Sequence, residues 1–396
     1  MPNAPAMSSN RRLESVDVFR GVVMVLMALD HTRDYFGAAG INPTDPATTT
    51  VGLFFTRWIT HFCAPAFFFL TGTGAYLAGR RKGKEGLSRY LLTRGLWMLF
   101  LDTVILRCLA WQWNFDFRVN LLLVLWALGW AMITLSLLVR WTPAVSAIFG
   151  VTLIAGHNIF DRVNPQLLGA ARPLWLILHQ PGLLLAGPER FILVAYPLVP
   201  WVGVTAAGYA LGQVFDWDVA RRRSFLLRLG ASMAIAFVIL RVLNVYGDPQ
   251  PWSAQRSGLF TLLSFLNTTK YPPSLLYLLM TLGPGLLFLW TVDREVPRPL
   301  RLALDFGRVP LFYFVLHIVL IHLLALLACW YRYGSVHWAF ESPTLDKYPF
   351  TQPPGWPLSL GYVYAIWVSV VVCLWPTCRW YAGVKARRRD WWLSYL

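Results

Sequence analysis

The sequence predicts an all-α fold, a polytopic transmembrane helical bundle of about ten spans with both termini cytoplasmic. Three observations carry that expectation. The chain of 396 residues is 57% hydrophobic and only 14% charged, whereas soluble domains carry about 25% charge. Apolar runs near the roughly 20 residues needed to cross a bilayer recur from residue 18 to residue 380, with no polar block long enough to fold separately. Lys and Arg accumulate in alternate connections, the pattern of cytoplasmic loops.

In chain order the expected spans lie at 18–36, 52–79, 90–111, 119–140 and 143–160, then at 191–215, 224–246, 273–292, 304–331 and 358–381. The stretch 162–190 is expected to be partly buried. Arg11 and Arg12 precede the first span, and Arg80, Arg81, Lys82 and Lys84 follow the second. Arg140 follows the fourth, Arg221 to Arg223 the sixth, Arg294, Arg298 and Arg301 the eighth, and Lys385 with Arg387 to Arg389 the tenth. The opposite connections, 37–51, 247–272 and 332–357, are longer and rich in Pro, Gly, Trp and Thr, as suits ordered extracytoplasmic loops that cover a site. Residues 1–14 read as a cytoplasmic leader to a single membrane domain. Residues 382–396 form a basic, aromatic tail suited to the headgroup layer.

The formal net charge of +16 does not point to nucleic acid, because the basic residues fall in short groups between apolar spans. Five cysteines form no CxxC pair and imply neither a metal site nor a disulfide framework, so no metal is expected. The first apolar segment ends in Phe36-Gly37-Ala38-Ala39, superficially like a signal peptide. Its core holds Asp30 and His31, which a cleaved signal does not need, and it reads as an uncleaved first span. Gly72-Thr73-Gly74 lacks the Lys-Ser/Thr of a phosphate loop and reads as a point of close helix approach.

A charge at membrane depth costs at least about 2.5 kcal/mol, so ionisable residues inside spans are functional candidates. The first span opens on Asp17 and Arg20 and closes on Asp30-His31-Thr32-Arg33-Asp34. At about 1.5 Å per residue, His31 lies roughly 16 Å beyond Arg20 along the helix. The ninth span repeats the arrangement, with Arg308 at its cytoplasmic end and Tyr313, His317 and His322 deeper in. Arg57 and His61 enter from the outside, Asp102, Arg107, His157 and Arg241 lie in mid or outer halves of spans, and Lys270 and Tyr271 open the eighth.

Histidine can take and return a proton near neutrality, which activating a hydroxyl or amine requires. His31 is therefore the candidate general base. Consecutive helix residues point about 100° apart, so its orienting partner is Asp30, Asp34 or a group on another helix. Arg33, Asp34, His61, Tyr271 and Arg241 are candidate acceptor contacts, and Lys270 and His317 complete the catalytic candidates. Arg20 and Arg308 sit just inside spans, where they pair with Asp17 or Asp305 or hold phosphates. Two other functions fit the same residues. Buried Asp, His, Arg and Lys also build the proton relays of transporters, and paired histidines among His61, His157, His317 and His322 leave a haem or quinone redox protein open, although no CxxCH is present. His179 and His337 read as loop residues.

Three segments carry a resemblance: Arg12-Leu13-Glu14-Ser15-Val16-Asp17-Val18-Phe19-Arg20-Gly21, Lys270-Tyr271-Pro272-Pro273-Ser274-Leu275, and Gly307-Arg308-Val309-Pro310-Leu311-Phe312-Tyr313-Phe314. As a set they resemble the heparan-alpha-glucosaminide N-acetyltransferase family, the lysosomal acetyltransferase and its bacterial membrane relatives. The resemblance implies transmembrane acyl transfer. Acetyl-CoA or another acyl-CoA is supplied on the cytoplasmic side near Asp17, Arg20, Arg308 and Tyr313, and a saccharide hydroxyl or amine outside receives the acyl group with help from a histidine, here His31. The long lumenal domain that precedes the first span of the lysosomal enzyme has no counterpart, so a bacterial envelope glycan or other sugar is the expected acceptor. Expected partners are membrane lipid, the acyl-CoA and this saccharide, in the cytoplasmic (inner) membrane, with a homodimer left open.

Overall fold

The computed structural model describes residues 13–38, 42–111, 113, 117–187, 190–341, 351–388 and 390–395. Most of the expected N-terminal leader, including Arg11 and Arg12, and Arg389 of the tail lie outside the described residues, as do parts of the loops at 37–51 and 332–357.

Thirteen α-helices order the described chain: α1 (Glu14–Phe36), α2 (Val51–Thr60), α3 (Cys63–Phe100), α4 (Val124–Leu138), α5 (Pro143–Gly156), α6 (Arg172–Leu178), α7 (Leu198–Leu211), α8 (Val219–Leu243), α9 (Gly258–Leu266), α10 (Leu275–Val292), α11 (Ala303–Arg308), α12 (Pro310–Tyr333) and α13 (Leu360–Arg387). A π-helical stretch, Leu101–Trp111, continues α3. Six helical stretches are long and apolar enough to cross a membrane: Pro143–Phe160, Leu198–Asp216, Val219–Leu243, Leu275–Val292, Pro310–Tyr333 and Leu360–Arg387. They coincide with the fifth to tenth expected spans. The first four expected spans fall on helices that are more charged, broken or shorter. The second breaks after Thr60 into α2 and α3, and α4 has only 15 residues.

The all-α expectation needs one correction. A three-stranded sheet is present, in the order β1 (Val119–Leu122), β3 (Phe191–Val194), β2 (Gly182–Ala186). β1 runs parallel to β3 with Val119 opposite Phe191, and β2 pairs antiparallel with β3. β1 and β3 lie within the apolar runs expected as the fourth and sixth spans, because a short continuous run of Leu, Val and Ile has no periodicity that separates strand from helix.

Local chemistry sets many of the boundaries. Thr50, Asp218 and Ser274 accept hydrogen bonds from the backbone N–H groups of Leu53, Arg221 and Tyr277, capping α2, α8 and α10. Asn244 and Gly334 close α8 and α12 in the left-handed conformation. Pro310 has no N–H to donate and disfavours helical geometry at Val309, which sits at φ −132°, ψ 51° and separates α11 from α12.

Side-chain bonds gather the connections at two ends. At the N-terminal end of α1, Ser15 donates to Asp293, Arg222 pairs with Asp293 at 2.9 Å, Arg80 pairs with Asp216 at 3.0 Å, and Lys84 donates to the Arg140 carbonyl. Of the basic groups expected on one side of the membrane, these contacts join Arg80, Lys84, Arg140 and Arg222 to neighbouring connections. At the other end, Leu358 N–H donates to the Phe36 carbonyl, the Trp356 indole to Tyr35, and Asn267 to Thr44. Gly72 does serve close approach: a Cβ there would lie 2.0 Å from the Thr205 carbonyl oxygen on α7.

Candidate functional site

The site is built on α1 and the broken pair α11–α12. At the N-terminal end of α1 the backbones of α1 and α11 touch. A Cβ on Gly21 would lie 1.8 Å from the Ala303 carbonyl oxygen, and one on Gly307 would lie 1.8 Å from that of Asp17. Only glycine at both positions permits this crossing. Each glycine neighbours an arginine in sequence, so the crossing brings Arg20 and Arg308 together. Arg20 donates to Asp17 at 3.2 Å and to the Gly307 carbonyl at 3.1 Å, which fixes its guanidinium. Asp17 thus holds Arg20.

Both arginines line a cavity of about 330 Å³, together with Arg94, Lys385 and Tyr90. Its remaining wall is largely apolar, from Met24 and Leu125 to Phe314. Tyr90 and Tyr395 rings stand 5.1 and 5.7 Å from the Arg94 guanidinium, so the C-terminal tail reaches this region. Arg94 and Tyr90 carry no expectation from the sequence, and Lys385 only one of topology, although Arg94 lies inside an expected span and the rule that flags Asp102 applies to it. Tyr313 is not in the cavity wall. Its ring is fully buried, stacked on His317 at 5.0 Å.

Phe314 separates the cavity from a second group of residues, standing edge-on 6.1 Å from the His31 ring. His31 Nδ1 lies 2.7 Å from His317 Nε2. His317 Nδ1 lies 2.8 Å from the Tyr313 carbonyl, which only accepts, so His317 carries its proton on Nδ1. Its Nε2 therefore offers a lone pair, and His31 Nδ1–H donates to it. The neutral His31 ring is left with its own lone pair on Nε2. Trp111 meets the ring edge-on at 4.8 Å. His31 is half-buried, whereas His317 is wholly buried.

The orienting partner of His31 is thus a group on another helix. Asp30 instead accepts from Arg57 at 2.7 and 2.5 Å and pairs with Arg33 at 2.9 Å, while Arg33 also reaches Asp34 at 2.7 Å. This ion-pair chain ties α1 to α2 beside the histidine pair. The positive charge of buried Lys270 acts on both Asp30 and His31. Tyr271 shares a hydroxyl hydrogen bond with Tyr196 at 3.3 Å. His61 is buried at the α2–α3 turn, its ring edge-on to Tyr277.

Arg241 stands apart. Its guanidinium donates to the carbonyls of Phe265, Gln250, Ser264 and Asn267, bracing the end of α9. Asp102 accepts from Leu123 N–H at the start of α4, and His322 donates to the Ala110 carbonyl. Among the described residues no two of His61, His157, His317 and His322 share a hydrogen bond or ring contact.

The fold and the site define a helical membrane protein in which one helix carries a basic cavity at one end and a histidine–ion-pair cluster toward the other. The chain belongs to the heparan-alpha-glucosaminide N-acetyltransferase catalytic family, whose model matches residues 12–246, more than half of its length. It is accordingly an acetyltransferase. No curated protein matches the chain. The matched segment holds Arg20, Asp30, His31, Arg57 and Arg94, while Lys270, Tyr271, Arg308, Tyr313 and His317 lie beyond it.

Proposed function

We propose that this protein moves an acetyl group from cytoplasmic acetyl-CoA to a hydroxyl or amine of an extracytoplasmic saccharide, with His31 as general base. The carrying observation is the His31–His317 hydrogen bond at 2.7 Å, whose tautomers leave a lone pair on His31 Nε2. In this reading the bundle crosses the cytoplasmic membrane about ten times with both termini inside. The CoA phosphates sit near Arg20 and Arg308, with Arg94 and Lys385 adding positive charge, and the apolar cavity wall takes the pantetheine arm toward Phe314.

The acceptor oxygen or nitrogen attacks the thioester carbonyl as its proton passes to His31 Nε2. The new bond forms to the carbonyl carbon, the carbon–sulfur bond breaks, and CoA leaves as a thiolate that takes up the proton held by His31, which returns the imidazole to its neutral form. His317 holds the ring of the resulting imidazolium through the shared Nδ1–H. Lys270 and Tyr271 contact the acceptor or stabilise charge developing on the carbonyl oxygen. Asp30, held by Arg57 and Arg33, fixes the last turns of α1 that present His31.

Purified His31→Ala protein is expected to lose about 10² to 10⁴-fold in acceptor-dependent CoA release, while acetyl-CoA still raises its thermal midpoint. Wild-type turnover by this variant with amino-sugar or glycan-fragment acceptors would remove the general-base role. Absence of any stabilisation of the wild type by acetyl-CoA would remove the donor.

A further inference from the structure

His157, Asn158 and Asp161 follow α5, and α6 returns His179 to the same place. One ligand atom from each of His157, Asp161 and His179 lies within 4.8 Å of the other two. His157 opens the 3-10 turn His157–Phe160 and Asp161 closes it. His157 and His179 are buried, at 3% and 4% exposure, and Asp161 is partly open.

The histidines are under-satisfied in a particular way. His179 Nε2 lies 2.8 Å from the His157 carbonyl, so it carries the proton, and Nδ1 is left as a buried lone pair with no hydrogen-bond partner among the described residues. The Pro273 backbone lies beside His157, yet neither His157 ring nitrogen meets a partner at hydrogen-bonding geometry among the described residues. Asp161 has one oxygen held by Asn158 Nδ2 at 2.7 Å, which orients the carboxylate and leaves the other oxygen available. A backbone carbonyl fixing one ring nitrogen and an amide fixing a carboxylate are the supports that metal ligands usually have.

We propose that His157, Asp161 and His179 bind a divalent transition-metal ion of the zinc class. Two imidazoles and a carboxylate suit such an ion, and three protein ligands leave one tetrahedral position for water or a further ligand. Bonds of about 2.0–2.1 Å space tetrahedral ligands about 3.4 Å apart, so the triad closes on the ion with a shift of about an ångström, within reach of the partly open Asp161 side chain. The ion also has a mechanical consequence. Asn158 accepts from Leu275 N–H at 2.9 Å, so the metal-bound turn braces the start of α10, four positions after Tyr271. None of the three ligands is among the residues assigned to acyl transfer, so metal binding is measured without turnover.

The full-length protein is purified, stripped with a chelator, exchanged into chelator-free buffer and titrated with Zn²⁺ alone and with Co²⁺ alone. A single equivalent of each is expected to bind, with Zn²⁺ raising the thermal midpoint and Co²⁺ giving the visible absorption of a tetrahedral nitrogen–oxygen site that Zn²⁺ abolishes. Asp161→Asn and His179→Ala are expected to weaken Zn²⁺ binding about tenfold or more, and exposed His337→Ala to leave it unchanged. Less than one equivalent bound to the wild type at micromolar Zn²⁺ overturns the site, as does wild-type affinity in Asp161→Asn. Asp161→Asn alone decides the matter should His179→Ala not be recovered folded, because its side chain is partly open and keeps its size.

Discussion

Replacing His317 by alanine tests the tautomer reasoning directly. His317 Nε2 is the acceptor for His31 Nδ1–H at 2.7 Å, and its own Nδ1–H donates to the Tyr313 carbonyl at 2.8 Å. Without that acceptor nothing on the far side of the His31 ring keeps its proton on Nδ1, and Nε2 no longer has to present a lone pair. In serine hydrolases the loss of the group that sets the histidine tautomer costs about 10⁴ in turnover, and general-base catalysis as a whole contributes about 10² to 10⁴. A fall in kcat of about 10² to 10⁴ is therefore expected for His317→Ala, with KM for acetyl-CoA unchanged, because Arg20 and Arg308 are untouched. His317 is wholly buried, so the alanine variant should also melt earlier, and His317→Gln separates the two effects. A glutamine carbonyl accepts from His31 Nδ1–H and should restore at least part of kcat. The assay is thiol release from acetyl-CoA in the presence of a glycan acceptor, with thermal midpoints measured on the same samples. Wild-type kcat in His317→Ala, or a loss confined to KM for acetyl-CoA, would refute the reasoning.

Two further outcomes follow from the basic end of the site. Gly307→Ala forces a Cβ to within 1.8 Å of the Asp17 carbonyl oxygen, so α1 and α11 must separate; a lower thermal midpoint and loss of stabilisation by acetyl-CoA are expected in detergent-purified protein. Arg20→Gln and Arg308→Gln each remove a charge that the proposed donor's phosphates meet. Charge-assisted bonds contribute about 1.5–3 kcal/mol, so KM for acetyl-CoA should rise about tenfold or more, while rates with S-acetyl-pantetheine, which has no phosphate, should match the wild type.

Much of the site was legible because a charge or imidazole in an apolar run stands out whatever the tertiary structure. Asp17, Arg20, Asp30, His31, Arg57, Arg308 and His317 were visible on that ground, and so was the recurrence of an arginine and a histidine on two elements. Their pairing was not visible. Asp30 adjoins His31 in sequence, but the helical turn aims it at Arg57, and the partner of His31 comes from 286 positions away. His179 looked like a loop residue because nothing local shows that α6 returns it to His157. The later spans were legible as helices because each is long, apolar and poor in charge. The sheet was not, since Val119–Leu122 and Phe191–Val194 adjoin helices of the same composition. The Val309 break within the ninth span was signalled by Pro310, which can also stand at the start of a continuous helix.

The double contact between α1 and the α11–α12 pair fixes a length and a phase together. Arg20 and His31 are eleven positions apart on one continuous helix, and Arg308 and His317 are nine apart across the Val309 break. At 1.5 Å per residue these are about 16 and 14 Å. The glycine crossing pins one end and the imidazole pair the other, so the two elements form a molecular ruler whose graduations are peptide units. The ruler also has an angular scale, for one residue inserted between Arg20 and His31 would lengthen it by only about 1.5 Å while turning the imidazole about 100° away from His317. Deletions and insertions between these two motifs are for that reason far less tolerable than substitutions along the same stretch.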